Sequence, residues 1–176
     1  MPEMNALAGR NKLVLYLGYD GVLHHENVMW HSLIGPCLSA PEEYKLFQHS
    51  NLLEQLLEPF PTLCIVLSTS WVGHCGYAKA ARYLQPSLRY RVIGTTLNSH
   101  VASSSFAGAP RGERVHQDVL QRLPRSWLAL DNHALDWPVS CLDNLICTDS
   151  QEGLRPPPVQ LELLRKLVLM CDGETL

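Results

Sequence analysis

Leu13-Val14-Leu15-Tyr16-Leu17-Gly18-Tyr19-Asp20-Gly21-Val22-Leu23-His24 is the stretch from which the fold follows. A short apolar run, rich in strand formers, enters a Gly-x-Asp-Gly turn. Such a run reads as a strand buried on both faces, the hallmark of a parallel sheet. The turn lifts Asp20 out at the carboxyl end of that strand. In open α/β sheets this is the edge where ligands and chemistry gather.

Working outward, similar runs recur. Residues 63–67 (Leu-Cys-Ile-Val-Leu) form a second buried strand ending in Ser68-Thr69-Ser70-Trp71. Residues 90–94 give a third strand, 127–130 a fourth ending at Asp131-Asn132, and 144–148 a fifth. Helical patterns lie between them. Residues 51–57 place leucines on one face, with Ser50 or Asn51 as cap and Pro59 and Pro61 as the stop. A helix runs from Trp71 to about residue 84, weakened by Gly73 and Gly76. Residues 113–123 put Val115, Val119, Leu120 and Leu123 on one face. Residues 159–170 do the same with Leu161, Leu164, Leu167 and Val168. Residues 1–11 read as a loose arm. Residues 24–50 read as an irregular flap, with a short helix opened by Pro41-Glu42-Glu43. Residues 98–112, rich in Ser, Ala and Gly, read as a loop. Alternating strands and helices predict one α/β, Rossmann-like domain: a mostly parallel sheet with helices on both faces.

Composition narrows the function. The 176 residues carry a formal net charge of -3, so no global basic field draws nucleic acid. No apolar run has membrane-spanning length and the N-terminus has no signal-peptide core, which reads as a cytoplasmic protein. The six cysteines contain no C-x-x-C pair, and Cys64 and Cys147 lie in apolar runs that predict burial. The eight histidines show no zinc-ligand spacing and are expected on the surface or in packing.

In a parallel sheet Asp20, Ser68 and Asp131 share one edge. Two carboxylates with a hydroxyl and free helix-start amides suit a phosphate with Mg²⁺, a hard cation that takes oxygen ligands. Arg111 and Arg114 supply the balancing cation, with fork geometry for phosphate. Each piece also has a plain structural reading: Asp20-Gly21 is a common turn pair, and Ser68 and Thr69 can simply cap a helix.

These stretches together resemble the haloacid dehalogenase superfamily of phosphotransferases. More closely they resemble the small bacterial domains related to that of multidomain RNA-repair proteins. The residues carrying the likeness are 15–24, 65–71, 91–94, 127–132, and Cys147-Thr148-Asp149 to Gly153-Leu154. The resemblance implies the corresponding fold without a large cap. It gives Asp20 the general acid/base position, Ser68 (with Thr69) the phosphate-binding hydroxyl, and Arg111, or Arg114, the basic position. It makes Asp20, Asp131 and Asn132 the metal-side residues. The departures are as informative. Gly18 stands where the family has its nucleophilic aspartate, Val72 where an arginine is common, and Asn132 where a second acid is common. The first reading is therefore a member that keeps a phosphate and Mg²⁺ site but is catalytically impaired or inactive. Two others stand beside it. One is an active Mg²⁺-dependent phosphatase, on nucleic-acid ends or small phosphoesters, with Gly18 an engineered or compensated change. The other is a protein-interaction scaffold with a vestigial pocket.

Overall fold

The computed structural model describes residues 8–97 and 108–173. Its centre is a five-stranded, all-parallel sheet. In chain order the strands are β1 (Leu13–Leu17), β4 (Cys64–Leu67), β5 (Val92–Thr95), β6 (Ser126–Asp131) and β7 (Leu145–Cys147). They lie side by side in the order β5-β4-β1-β6-β7. β1 is therefore the middle strand, which is why all five of its residues are buried. Its side chains alternate between two cores, as the period of a strand requires. Leu13, Leu15 and Leu17 face one core; Val14 and Tyr16 face the other.

The first core is covered by α1 (Ser50–Leu57), α2 (Trp71–Cys75), α3 (Tyr77–Arg82), α4 (Pro86–Arg89) and α6 (Pro157–Asp172). The second is covered by α5 (Arg111–Arg122), by Trp137 and by a 3₁₀ turn, Val139–Asn144. Helices on both faces of a parallel sheet, without a large cap, match the predicted class. Among the described residues no helix is long and apolar enough to cross a membrane.

Several local expectations are corrected. Residues 24–50 are not irregular throughout: β2 (Val28–His31) and β3 (Gly35–Leu38) pair antiparallel as a hairpin. The strands are four residues long and one contains Pro36, so no clear period of two is visible. Pro41-Glu42-Glu43 forms a turn rather than a helix, closed by the Tyr44 N–H on the Pro41 carbonyl at 3.0 Å. The helix after β4 breaks at Gly76, whose φ is 83°. Neither Ser50 nor Asn51 caps α1. His49 holds the cap position without a side-chain bond, and Asn51 accepts instead from Gln85. Residues 8–11 are tied down, the Asn11 N–H reaching the Leu123 carbonyl at 3.0 Å; residues 1–7 of the arm lie outside the described residues. So does most of the 98–112 loop, at 98–107. Cys64 is only half-buried and Cys147 is exposed.

The buried faces of α5 and α6 also differ from the apolar pattern. On α5 the buried residues are Gly112, Val115, Asp118 and Arg122, whereas Leu120 and Leu123 are more than half exposed. On α6 they are Leu163, Lys166, Leu167 and Met170, with Leu161 and Val168 outside. Both helices turn a charged residue inward because the sheet side offers it partners. The Lys166 ammonium donates to the Asp143 carbonyl at 2.6 Å and the Leu145 carbonyl at 3.2 Å. Arg122 pairs with Asp118, and Asp118 with Tyr16. A buried polar group is tolerated only with such partners.

Candidate functional site

The parallel register brings the ends of β1, β4 and β6 together. The Ser68 N–H donates to the Leu17 carbonyl at 2.9 Å and the Gly18 N–H to the Leu130 carbonyl at 3.0 Å. Gly18, Ser68 and Asp131 thus stand side by side at the ends of three adjacent strands, with Asp20 two residues beyond Gly18. Around them the polar side chains divide into two groups.

The first group surrounds Asp20. Its Oδ1 accepts from the Trp71 indole N–H at 2.7 Å and contacts His24 Nε2 at 3.0 Å. His24 Nδ1 accepts the Phe47 backbone N–H at 3.2 Å, so the ring proton sits on Nε2 and is donated to Asp20. His24 has no exposed surface, and Trp71 none either. Both are wedged among aromatic rings: Trp71 meets Tyr19, Phe47, Tyr83 and Trp30 at centroid distances of 4.8 to 5.7 Å. Asp20 is therefore held in one rotamer by two packed donors. Sequence reasoning placed His24 among surface or packing histidines. Its partnership with Asp20 was visible only as an i, i+4 spacing in a loop, where that spacing carries no rule. Trp30 of the hairpin stacks on His74 at 4.7 Å, which anchors the flap beside this group.

The second group surrounds Asp131. Arg111 Nη1 donates to Asp131 Oδ1 at 2.7 Å. A side chain built at Gly18 would approach the same guanidinium: its Cβ would stand 3.0 Å from the Leu130 carbonyl oxygen, 3.4 Å from Val22 Cγ2 and 3.7 Å from Arg111 Nη1. Asp131 Oδ2 is buried and has no partner, and neither do the Nε of Arg111 and Arg114 or the Trp137 indole N–H. Burial first, and then the neighbouring Arg111, lower the pKa of the Arg114 guanidinium. Arg111, Arg114, Asp131, His133, Asp136 and Trp137 line a cavity of about 170 Å³. Trp137, like His133 and Asp136, is singled out by no sequence motif. It belongs to the site because α5 starts directly on it. A Cβ at Gly112 would come within 2.7 Å of Trp137 Cα and 2.8 Å of the Asp136 carbonyl. Gly112→Ala should therefore push α5 off Trp137 and cost about 1–3 kcal/mol in a denaturant titration. An unchanged unfolding midpoint would contradict this close approach.

The remaining predicted residues do other work. Thr69 Oγ1 accepts the Trp71 N–H at 3.3 Å, which fits a local turn at the start of α2. The Ser68 hydroxyl is buried and without a partner, so it stays open to a ligand. Asn132 donates through Nδ2 to Glu26 Oε2 at 2.9 Å and Ser150 Oγ at 3.1 Å. It ties the flap to the 149–153 turn. Glu26, which no motif singles out, is thereby brought to the rim of the site.

Mg²⁺ requires hard oxygen donors in near-octahedral array. Gly18 offers no side chain, and Arg111 already holds Asp131 Oδ1. Two donors hold Asp20 Oδ1, and Asn132 is bound through its amide nitrogen. Among the described residues no three His, Cys, Asp or Glu gather to hold a metal. The two guanidiniums on α5, beside Asp131, oppose a divalent cation there. The residues as they stand do not fit Mg²⁺.

The family model described as the HAD domain in Swiss Army Knife RNA repair proteins matches residues 14–159. Neither the curated proteins nor the solved structures give a match.

Proposed function

The chain belongs to the family of HAD domains in Swiss Army Knife RNA repair proteins, and from that premise we propose that it binds a phosphoryl group without turning it over. HAD domains are phosphatase-type folds that generally use Mg²⁺. The departure of this chain lies at Gly18, the place that the family resemblance gives to the nucleophile. One observation carries the reading. The direction a Gly18 side chain would take meets Arg111 Nη1 at 3.7 Å, and that guanidinium is already paired with Asp131 at 2.7 Å. The carboxylate missing from β1 is thus replaced, as a partner for the cation, by the carboxylate on β6. Arg111 is thereby held without a nucleophile, while Arg114 and Asp131 Oδ2 stay open to a ligand.

Without that nucleophile a covalent route has no first step. Losing a nucleophile costs roughly 10⁴ to 10⁶ in rate at sites where it has been removed. Ser68, Arg111 and Arg114 remain as donors to a phosphoryl oxyanion, and Asp20 as a fixed carboxylate beside it. The family description points to a phosphorylated nucleic-acid end as the ligand class; a small phosphoester has the same recognisable head.

An aryl phosphate assay, with and without Mg²⁺, tests this together with calorimetric titration of inorganic phosphate. Phosphate binding with turnover at the buffer background is the expected result. Turnover that disappears in Asp20→Asn would overturn the reading in favour of an active phosphatase.

A further inference from the structure

We propose that the cavity on the α5 side of Asp131 binds the hydrogen-bearing form of phosphate, and does so without a divalent cation. The inference rests on the reading of the chain as a phosphoryl-binding protein and says where and in what form the ligand sits.

The unpartnered polar atoms set the terms. Ser68 Oγ lies at the end of β4, on one side of β1. The other four, Arg111 Nε, Arg114 Nε, Trp137 Nε1 and Asp131 Oδ2, belong to residues that line the cavity of about 170 Å³. Ser68 is not among those lining residues. The Arg114 side chain makes no hydrogen bond or ion pair among the described residues, although it is half-buried. Its buried Nε has lost water without gaining an acceptor, which is unfavourable unless a ligand supplies one. Asp131 and Trp137 are 1% and 6% exposed, so water reaches neither well. The cavity has the liquid volume of about five waters, enough for one tetrahedral oxyanion.

The balance of donors and acceptors fixes the form. Two guanidiniums and one indole N–H offer hydrogens. Asp131 Oδ2 offers only lone pairs, because Arg111 at 2.7 Å and the His133 N–H at 3.3 Å both act on Oδ1. An oxyanion with no hydrogen would set one of its oxygens against that carboxylate. An oxyanion that carries one hydrogen donates it to Oδ2 and accepts from the guanidiniums and the indole. Inorganic phosphate near neutral pH carries such a hydrogen, a phosphomonoester carries one below its second pKa of about 6, and sulfate carries none. The charges around the cavity are Arg111, Arg114, Asp131 and the exposed Asp136, with exposed His133 at the rim. The formal charges of the first four cancel. Recognition therefore comes from directed hydrogen bonds rather than net charge, and a divalent cation has no excess of anionic oxygens to hold it.

Calorimetric titration with inorganic phosphate and with sulfate, each in EDTA and then in Mg²⁺, tests the proposal on the full chain. Phosphate should bind in EDTA, change by less than about twofold on adding Mg²⁺, and exceed sulfate by about tenfold or more. Arg114→Gln should weaken phosphate by about tenfold, the loss expected for a charged hydrogen-bond donor. Trp137→Phe keeps the ring, removes the N–H and should weaken it less. Asp131→Asn should narrow the gap between phosphate and sulfate. Phosphate binding that requires Mg²⁺, or sulfate binding as tight as phosphate, would overturn the proposal. So would binding lost in Ser68→Ala but kept in Arg114→Gln. Each of these leaves the phosphoryl-binding reading intact. Failure to bind phosphate under every condition overturns both.

Discussion

Gly18→Asp is expected to raise aryl phosphate turnover at least about a hundredfold over the unaltered chain, with Mg²⁺ present. That is a fraction of the roughly 10⁴ to 10⁶ that a nucleophile is worth. The site can take the side chain. A Cβ at position 18 needs a few tenths of an ångström from the Leu130 carbonyl, 3.0 Å away, and meets no other backbone that closely. Full recovery is not expected because of Arg111. Its Nη1, 3.7 Å from that Cβ, would be shared between Asp131 and the new carboxylate. Asp20 is already held by Trp71 and His24, so the acid/base position needs no rebuilding. Double replacement with Asp20→Asn should return turnover to background. If Gly18→Asp is folded, binds phosphate and remains inactive, then the absent nucleophile is not what keeps this chain from catalysis.

Asp118→Ala should be the most damaging single change to stability, costing about 3–5 kcal/mol in urea unfolding. Asp118 Oδ2 accepts from both the Tyr16 hydroxyl and Arg122 Nε at 2.7 Å, and Oδ1 accepts from Arg122 Nη2 at 2.9 Å. Arg122 Nη1 continues to the Ala8 carbonyl. Arg122 is 1% exposed and Tyr16 not at all. Burial, reinforced by the Asp118 carboxylate, pushes the Tyr16 phenol far above its ordinary range, so it remains a donor at every working pH. Removing the carboxylate takes from a buried cation the ion-pair partner that two of its nitrogens share, which is what makes such a change severe against a total stability of about 5–15 kcal/mol. Tyr16→Phe, which deletes a single neutral hydrogen bond, should cost only about 1 kcal/mol. A loss below about 1 kcal/mol for Asp118→Ala would mean that the triad adds little to the fold.

The sheet was legible because its strands are continuous apolar runs that end in polar turns, and no helix competes for so short a run. The strand ends follow from that: once β1, β4 and β6 are parallel, Gly18, Ser68 and Asp131 must be neighbours. The faces of α5 and α6 were not legible from apolar periodicity. Asp118, Arg122 and Lys166 occupy inward positions through partners far along the chain. Leu120 and Leu161, which the pattern turned inward, lie outside. The flap was misread because Gly35-Pro36 looks like a loop until its pairing with Trp30 and His31 is seen. At the site, the sequence supplied the charged residues but not their pairing. Nothing local tells Arg111 to choose Asp131, or Asp20 to choose Trp71 and His24. Those choices are made by register and by close approaches such as Gly112 on Trp137.

The central place of β1 also has a consequence in time. Its two neighbours, β4 and β6, pair with it from positions about fifty and more than a hundred residues downstream. On a ribosome adding roughly 5–20 residues per second, Leu13–Leu17 waits on the order of ten seconds for its second partner. Through that interval a strand whose five residues are all buried in the finished fold has at least one unsatisfied edge. Of all segments it is therefore the one most in need of a holding chaperone during synthesis.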